Sequence, residues 1–555
     1  MRRGGLAAGI LVGAAALQLG AAPPVPSAEG DRTPIRPGSA EKGVPFWNDY
    51  ATLFRAPPVL SFDAVPGAAR YRFEIRRGDW TRACAAARPE VSLVAFWPEM
   101  AKGTGWSVTC TAHAADGAAR GAPQMRRFTK TARFEDVAFP PAAMPYREAA
   151  RRIFAYMTAL PAMRTLVETG EPEQGYQHNA YVSKTHAAHI TAMLAWARKM
   201  PESRAQAMRF AAASAELLLR ELEPAGAPLA HWPPTYGRRP LRGGLKADGG
   251  GARKAMVGND PEGAAKYRRE VMLCYPAAVG HAFVAYFRAT GERRFLDAAV
   301  RIAETYVRVR RADGSWPLKM VLATGAPVGR NALVPSQLLP FAAALAEATG
   351  DARWRQLADD CFAFLERGPF RTMNWDGQFE DIEPKPPYQG LTKHNALDGM
   401  LEILRRRPVS AEKMALARDL LRFSEDQFVF WEAPCARDEA IPKPGGAARG
   451  ECPALFRPGG YDYPSVFEQY SCYVSIDASA AKLIRAYLAM WRATGNATDL
   501  AKARVLGDQM TREVQPDGRL PTFWSNDWLG AATYDWLNCM EASACVLLEL
   551  ADHTS

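Results

Sequence analysis

Acidic, aromatic and amide side chains crowd into a few stretches of this chain, and their types limit the chemistry they can support. The run Asn374-Trp375-Asp376-Gly377-Gln378-Phe379-Glu380-Asp381 sets three carboxylates among aromatics, passes through Tyr388 and ends at His394-Asn395. Aromatic faces stack on sugar rings, and a carboxyl group held beside them gains a raised pKa suited to a general acid. Structurally, the same run reads as an acidic surface loop whose aromatics cover the core. A second stretch, 428–471, ends in Tyr461-Asp462-Tyr463-Pro464 and then Glu468-Gln469-Tyr470, with Cys472-Tyr473 just beyond. A loop of that length inside a compact domain is uncommon unless it is functional. Glu468 is its candidate carboxylate, and Asp477, one turn into the next helix, suits a helix N-terminus.

Two further stretches add recognition chemistry. In Phe523-Trp524-Ser525-Asn526-Asp527-Trp528, Trp524 and Trp528 are sugar platforms or core residues, and Asp527 is another acid. Lys319 and Arg330 are placed to clamp a carboxylate, or else are solvated cations. His178-Asn179 precedes His186-x-x-His189, which puts two imidazoles on one helix face. No carboxylate near them completes a metal set, so neither metal nor other cofactor is expected. Cys84 with Cys110, and Cys435 with Cys452, are candidate disulfides in an oxidising compartment; Cys274, Cys361, Cys472, Cys539 and Cys545 read as buried thiols.

With 555 residues the chain is too long for one ordinary compact domain, and its composition is that of a soluble globular protein. Arg2-Arg3, the apolar run from Leu6 to Leu19 and the small residues Gly20-Ala21-Ala22 follow the layout of a signal peptide over 1–22, pointing to a periplasmic or extracellular address. The apolar run is short for an uncleaved membrane anchor. Residues 23–44 are polar and Pro-rich and read as a disordered tether. The net charge of +10 favours acidic partners. The basic residues are dispersed and no nucleic-acid motif accompanies them, so an acidic polysaccharide or oligosaccharide is expected rather than nucleic acid.

Residues 45–140 alternate as strands: Pro58-Val59-Leu60-Ser61-Phe62, a Val65-Pro66-Gly67-Ala68 turn, Tyr71-Arg72-Phe73-Glu74-Ile75 and Trp106-Ser107-Val108-Thr109-Cys110. This resembles a fibronectin type III or immunoglobulin-like β-sandwich. From 141 to 555 the period becomes helical, with twelve helices expected to begin near 146, 180, 205, 270, 295, 333, 352, 391, 411, 473, 497 and 532. The turn Ala289-Thr290-Gly291 recurs as Ala348-Thr349-Gly350 and Ala493-Thr494-Gly495, and Asp313-Gly314 and Asp517-Gly518 each fall 22 residues beyond a turn glycine.

Helical hairpins joined by such turns resemble the six-hairpin, (α/α)6 toroid glycosidase-like superfamily. The fold class is therefore mainly α, a toroid behind a small immunoglobulin/fibronectin III-like sandwich. The resemblance implies a carbohydrate-active enzyme. A glycoside hydrolase would take one carboxyl group from Glu380 or Asp381 and the other from Glu468 or Asp527. A lyase would draw its base and neutralising groups from His394-Asn395, His178-Asn179, Tyr470 and Tyr473. Trp375, Asp376, Tyr388, Lys319, Arg330, Trp524 and Trp528 would then bind substrate. A sugar epimerase and a non-catalytic glycan-binding protein are the remaining alternatives.

Overall fold

The computed structural model describes residues 52–237, 269–372, 375, 392–434, 441–442, 455–456, 461–468, 475–524 and 536–553. Asp376, Glu380, Asp381, Tyr388, Tyr470, Tyr473, Asp527 and Trp528, with Cys435, Cys452 and the expected signal peptide, lie outside the described residues.

Seven strands come first: β1 (Leu53–Phe54), β2 (Val59–Ser61), β3 (Arg70–Arg77), β4 (Trp80–Ala86), β5 (Glu90–Ser92), β6 (Gly103–His113) and β7 (Ala119–Lys130). They form one sheet in the order β1-β7-β6-β3-β4 and a second of β2-β5. Only β1 and β7 run parallel; the other pairs are antiparallel. Along β3, Tyr71, Phe73 and Ile75 point inward while Arg70, Arg72 and Arg76 point out, the period-two pattern of a half-buried strand. Phe62 meets Phe73 at 5.8 Å between the sheets, and Phe128 gathers Phe54, Trp97 and Trp106 around it. The sandwich therefore rests on aromatic burial rather than on a cross-link. Cys84 and Cys110 are both free thiols. Each lies opposite Phe73, one on either side of β3. Two strand spacings, about 10 Å, separate them, beyond the ~7 Å that a disulfide spans.

The ring contains, in chain order, α1 (Tyr146–Ala159), α2 (Pro161–Thr169), α3 (Val182–Lys199), α4 (Arg204–Arg220), α5 (Cys274–Thr290), α6 (Arg293–Arg308), α7 (Leu338–Thr349), α8 (Ala352–Arg367), α9 (His394–Arg405), α10 (Ala411–Phe428), α11 (Asp477–Thr494), α12 (Ala497–Glu513) and α13 (Leu537–Ala551). Leaving out the short α2 and the four-residue helix Pro369–Thr372, the twelve begin within about five residues of the expected starts. Gly291, Gly350 and Gly495 take left-handed φ values of 78°, 72° and 72°, and each donates its N–H to the carbonyl four residues back. That geometry stops one helix and starts its partner within three residues.

Hairpin pairing does not begin with the first helix. The partners are α3 with α4, α5 with α6, α7 with α8, α9 with α10, and α11 with α12, while α1 packs on α13 and closes the circle. The inner ring is α3, α5, α7, α9, α11 and α13. Composition sorts the layers: α7 carries one charged residue, Glu347, whereas α6 buries Phe295, Leu296, Ala299 and Ile302 on one stripe and turns its arginines out. Inner neighbours touch closely where a glycine permits it. A Cβ on Gly280 of α5 would lie 2.3 Å from the Phe341 ring of α7. Gly280→Ala should lower stability by about 1–3 kcal/mol through overpacking, despite alanine's helix advantage of about 1 kcal/mol. Urea unfolding checks this, and a raised midpoint would contradict it.

Sandwich and ring meet at a buried charge cluster. Arg55 donates to Asp426 Oδ1 at 2.9 Å and lies 3.6 Å from Glu425, and Lys502 reaches Glu425 at 2.9 Å. Burial alone would raise the Glu425 carboxyl, but Lys502 and then Arg55 reverse this and hold it at about 2. Trp431 caps the cluster, donating to Glu425 at 3.3 Å and packing edge-on against the stacked pair Phe134 and Phe139. Arg55→Met would leave Glu425 to Lys502 and Asp426 to Arg422 at 3.5 Å and should cost about 1.5–3 kcal/mol, seen as a lower thermal midpoint with the sandwich melting separately. An unchanged single transition would show that the cluster does not join the two parts.

Candidate functional site

Tight glycine turns occupy one end of the ring, so every inner helix starts at the other. In none of the six inner helices does the side chain of the residue just before the helix cap its first turn. Asp351, Ser410 and Asn496, by contrast, cap the outer helices α8, α10 and α12. The inner starts are instead sewn to one another. Tyr176 Oη accepts from Leu537 N at 2.8 Å, joining α3 to α13. Thr522 accepts from Trp536 N through its hydroxyl and from Asp477 N through its carbonyl, joining α13 to α11. Ser336 donates to Asn395 Oδ1 at 2.7 Å, joining α7 to α9. Ser183 donates to Pro234 O and Thr235 accepts from Met272 N, joining α3 to α5. The strands β8 (Glu270–Met272), β9 (Pro317–Val321) and β10 (Pro327–Ala332) form an antiparallel sheet that leads into α5 and α7. These contacts define a mouth.

His394 opens α9 at this mouth and is half-buried. Its imidazole is held well below its ordinary pKa, first by burial and then by the charges of Lys393, Lys482 and Lys184. It is therefore neutral near pH 7, and it resists a proton until an anion bound beside it offsets the lysine charges. Lys184, one turn into α3, stands over the rings of Trp536 (5.6 Å) and Tyr181 (5.8 Å), and Trp536 lies 4.7 Å from the His178 ring. Tyr181 packs on Tyr236 at 5.6 Å. Aromatics from α3, α13 and the segment before β8 thus gather beside the lysine.

Beneath them Lys393 is fully buried, donating to the carbonyls of Phe467 (2.6 Å) and Glu468 (2.9 Å) and to Ser479 Oγ (2.6 Å). Burial lowers its pKa to about 7; Lys482 adds to the fall and Glu468 opposes it. Thr392 donates to the Glu468 carbonyl at 3.0 Å, so two adjacent residues fix the backbone of this carboxylate.

Of the candidates named from sequence, His178, Asn179, His394, Asn395 and Glu468 meet at this end. Lys319 is buried on β9, 3.5 Å from Glu270, while Arg330 is exposed on β10, two residues past the partner of Lys319. Trp375 and Trp524 are 0% and 1% exposed and present no open ring face. His186 and His189 lie in the wall: His189 Nδ1 is 2.5 Å from Glu541 and His186 Nδ1 is 3.4 Å from Ser214. Among the described residues no group of three metal-ligating side chains gathers.

Sequence reasoning missed Lys184, Lys393, Lys482 and Trp536. Lys393 directly precedes His394-Asn395 and was within sight; the others come together only through ring closure. It also missed a carboxyl pair at the rim. Burial, then the charge of Asp462, raises Glu513 to about 7, and Asp462 is itself raised by burial.

The fold is a closed six-hairpin α/α toroid whose mouth carries aromatic and basic groups around a neutral imidazole. No protein-family model and no curated protein matches the chain. Among solved structures it is similar to a family 76 glycoside hydrolase from Bacteroides thetaiotaomicron, at 9% identity over 88% of this chain and 94% of that one, TM-score 0.45. It is also similar to cellobiose 2-epimerase from Spirochaeta thermophila, at 12% identity over 73% and 98% of the two chains, TM-score 0.46. A D-mannose isomerase matches at 12% identity over 73% and 97%, TM-score 0.47.

Lys184→Met should raise the His394 pKa toward its ordinary value, read by NMR titration of the ring proton. The native form resists a proton that the unfolded chain binds near pH 6.5, so His394 makes stability fall as pH drops below that value. Removing Lys184 should shrink that fall, and an unmoved titration would remove the lysine from the site.

Proposed function

We propose that this chain is an exported carbohydrate-active enzyme that cleaves an anionic, uronate-bearing glycan at the mouth of the ring, with His394 as the proton-accepting group. The observation that carries this reading is the neutral His394 among three lysines. Six inner helices start at the same end and point the positive ends of their dipoles there, so a sugar carboxylate is attracted. Trp536 and Tyr181 offer aromatic surface for the sugar. In β-elimination the base removes the proton beside the uronate carboxylate while Lys184 and the Asn395 amide stabilise the developing negative charge. The C–O bond at the neighbouring carbon then breaks, its electron pair departs with the oxygen, which takes a proton from water, and an unsaturated sugar remains. Export rests on the layout of residues 1–22, and no helix among the described residues is long and apolar enough to cross a membrane.

Hydrolysis is the second reading, favoured by Glu468 at the mouth and by Glu513 at the rim, whose raised pKa suits a general acid. The test is incubation with polygalacturonate, alginate and hyaluronan, following unsaturated-uronate absorbance and reducing ends together. His394→Ala should lower turnover about 10²–10⁴-fold with the circular dichroism spectrum unchanged. Reducing ends without absorbance, in an enzyme indifferent to His394→Ala, would overturn elimination in favour of the carboxyl groups.

A further inference from the structure

We propose that the open face of the larger sandwich sheet is a second binding surface for the same class of acidic glycan, holding a polymer chain beside the mouth. The choice of an acidic glycan rests on the function proposed above; the existence of an anion-binding face does not.

Register defines the face. Arg76, Ser107 and Arg127 are cross-strand partners on β3, β6 and β7, as are Glu74, Thr109 and Met125, and Arg72 lies opposite Thr111. Cross-strand partners share a face, and the intervening rows, Phe73 with Cys110 and Ile75 with Val108, fill the core. The outward set therefore presents four exposed arginines, Arg70, Arg72, Arg76 and Arg127, against one acid, Glu74. Arg76 and Arg127 stand two strand spacings apart, about 10 Å, and Arg72 lies about 13 Å along the strand from Arg76.

These cations are not consumed internally. Among the described residues Arg72 and Arg127 make no hydrogen bond or ion pair, and Arg76 uses only Nε, donating to Gly78 O at 3.2 Å. Between them lie small side chains, Thr81, Ala83, Ala85, Ser107, Thr109 and Thr111. The surface is flat, hydroxyl-rich and positive.

Such a surface suits a hydroxylated polyanion better than the other anionic partners. No aromatic ring projects from these rows to stack on bases, so single-stranded nucleic acid lacks its usual platform. Met125 is the one large exposed apolar side chain among them, too little to enter a bilayer. The position fits as well. Arg55, next to β1, is anchored to the last turn of α10, and outer helices end where inner helices begin. The sandwich thus stands at the mouth end of the ring.

The test is native electrophoresis of the full chain through gels cast with polygalacturonate, alginate, neutral dextran or duplex DNA. The wild type should be retarded by the polyuronates and not by dextran. Arg72→Ala/Arg76→Ala/Arg127→Ala should weaken that retardation at least tenfold, while kcat on a short oligouronate stays unchanged. The control Arg164→Ala/Arg204→Ala/Arg209→Ala removes the same charge from exposed helix positions and should keep the retardation. Equal retardation of wild type and sandwich variant overturns the proposal, as does an equal loss in the control. Stronger, arginine-dependent retardation by DNA would replace the glycan with nucleic acid. If retardation depends on the three arginines but no uronate polymer is cleaved, the face stands and the reaction proposed for the mouth falls. Cleavage without such retardation gives the reverse.

Discussion

Six helices that all start at one end of a ring concentrate their unpaired backbone N–H groups there, and the rest of this structure answers that constraint. A helix leaves its first N–H groups without intrahelical partners. The outer helices meet this locally, with Asp351, Ser410 and Asn496 one residue before their starts. Three inner helices, α5, α11 and α13, meet it in part through Tyr306, Thr522 and Tyr176, residues borrowed from elsewhere in the chain. Long connections bring Tyr176 and Thr522 to the mouth, while Tyr306 comes from the last turn of α6. At the opposite end those local caps, turns of a few residues and ion pairs such as Arg288–Glu347 suffice.

The same constraint ties the sandwich to the mouth. Arg55 binds the end of α10; Phe428, the last residue of that helix, accepts from Phe467 N; and the Phe467 carbonyl accepts from Lys393, next to His394. A buried ammonium whose pKa sits near 7 is costly to keep charged, and three oxygen acceptors offset that cost. The lysine thereby fixes the backbone of Glu468 relative to the starts of α9 and α11. Geometry set in the sandwich interface reaches the mouth through a short series of hydrogen bonds.

Local signals were legible in the sequence and closure was not. The Ala-Thr-Gly turns marked inner-to-outer transitions because only a residue tolerant of left-handed φ fits there. Asp313-Gly314 and Asp517-Gly518 proved to be one turn used twice: each aspartate accepts from the N–H two residues on, and a Cβ on Gly518 would strike the Arg152 carbonyl at 2.5 Å. The phase of the pairing was invisible, because α1 finds its partner at the far end of the chain. So was the lysine cluster around His394, whose members come from three different inner helices. His394-Asn395 and Glu468 were readable as polar groups at the ends of long connections; Trp375 and Trp524 looked like platforms only because sequence does not say which way a ring faces.

Closure by α1 on α13 also orders events in time. Tyr176 and Leu537, which bond at the seam, stand 361 positions apart. At a synthesis rate of roughly 5–20 residues per second, the earliest helix is made on the order of a minute or less before its partner exists. Throughout that interval Ile153, Phe154 and Met157, all fully buried in the finished ring, have no apolar surface from α13 to cover them. The wait is part of the topology: a ring sealed by its first and last members leaves a newborn chain sticky at its leading edge, and binding by a holdase chaperone is the natural way to bridge that gap.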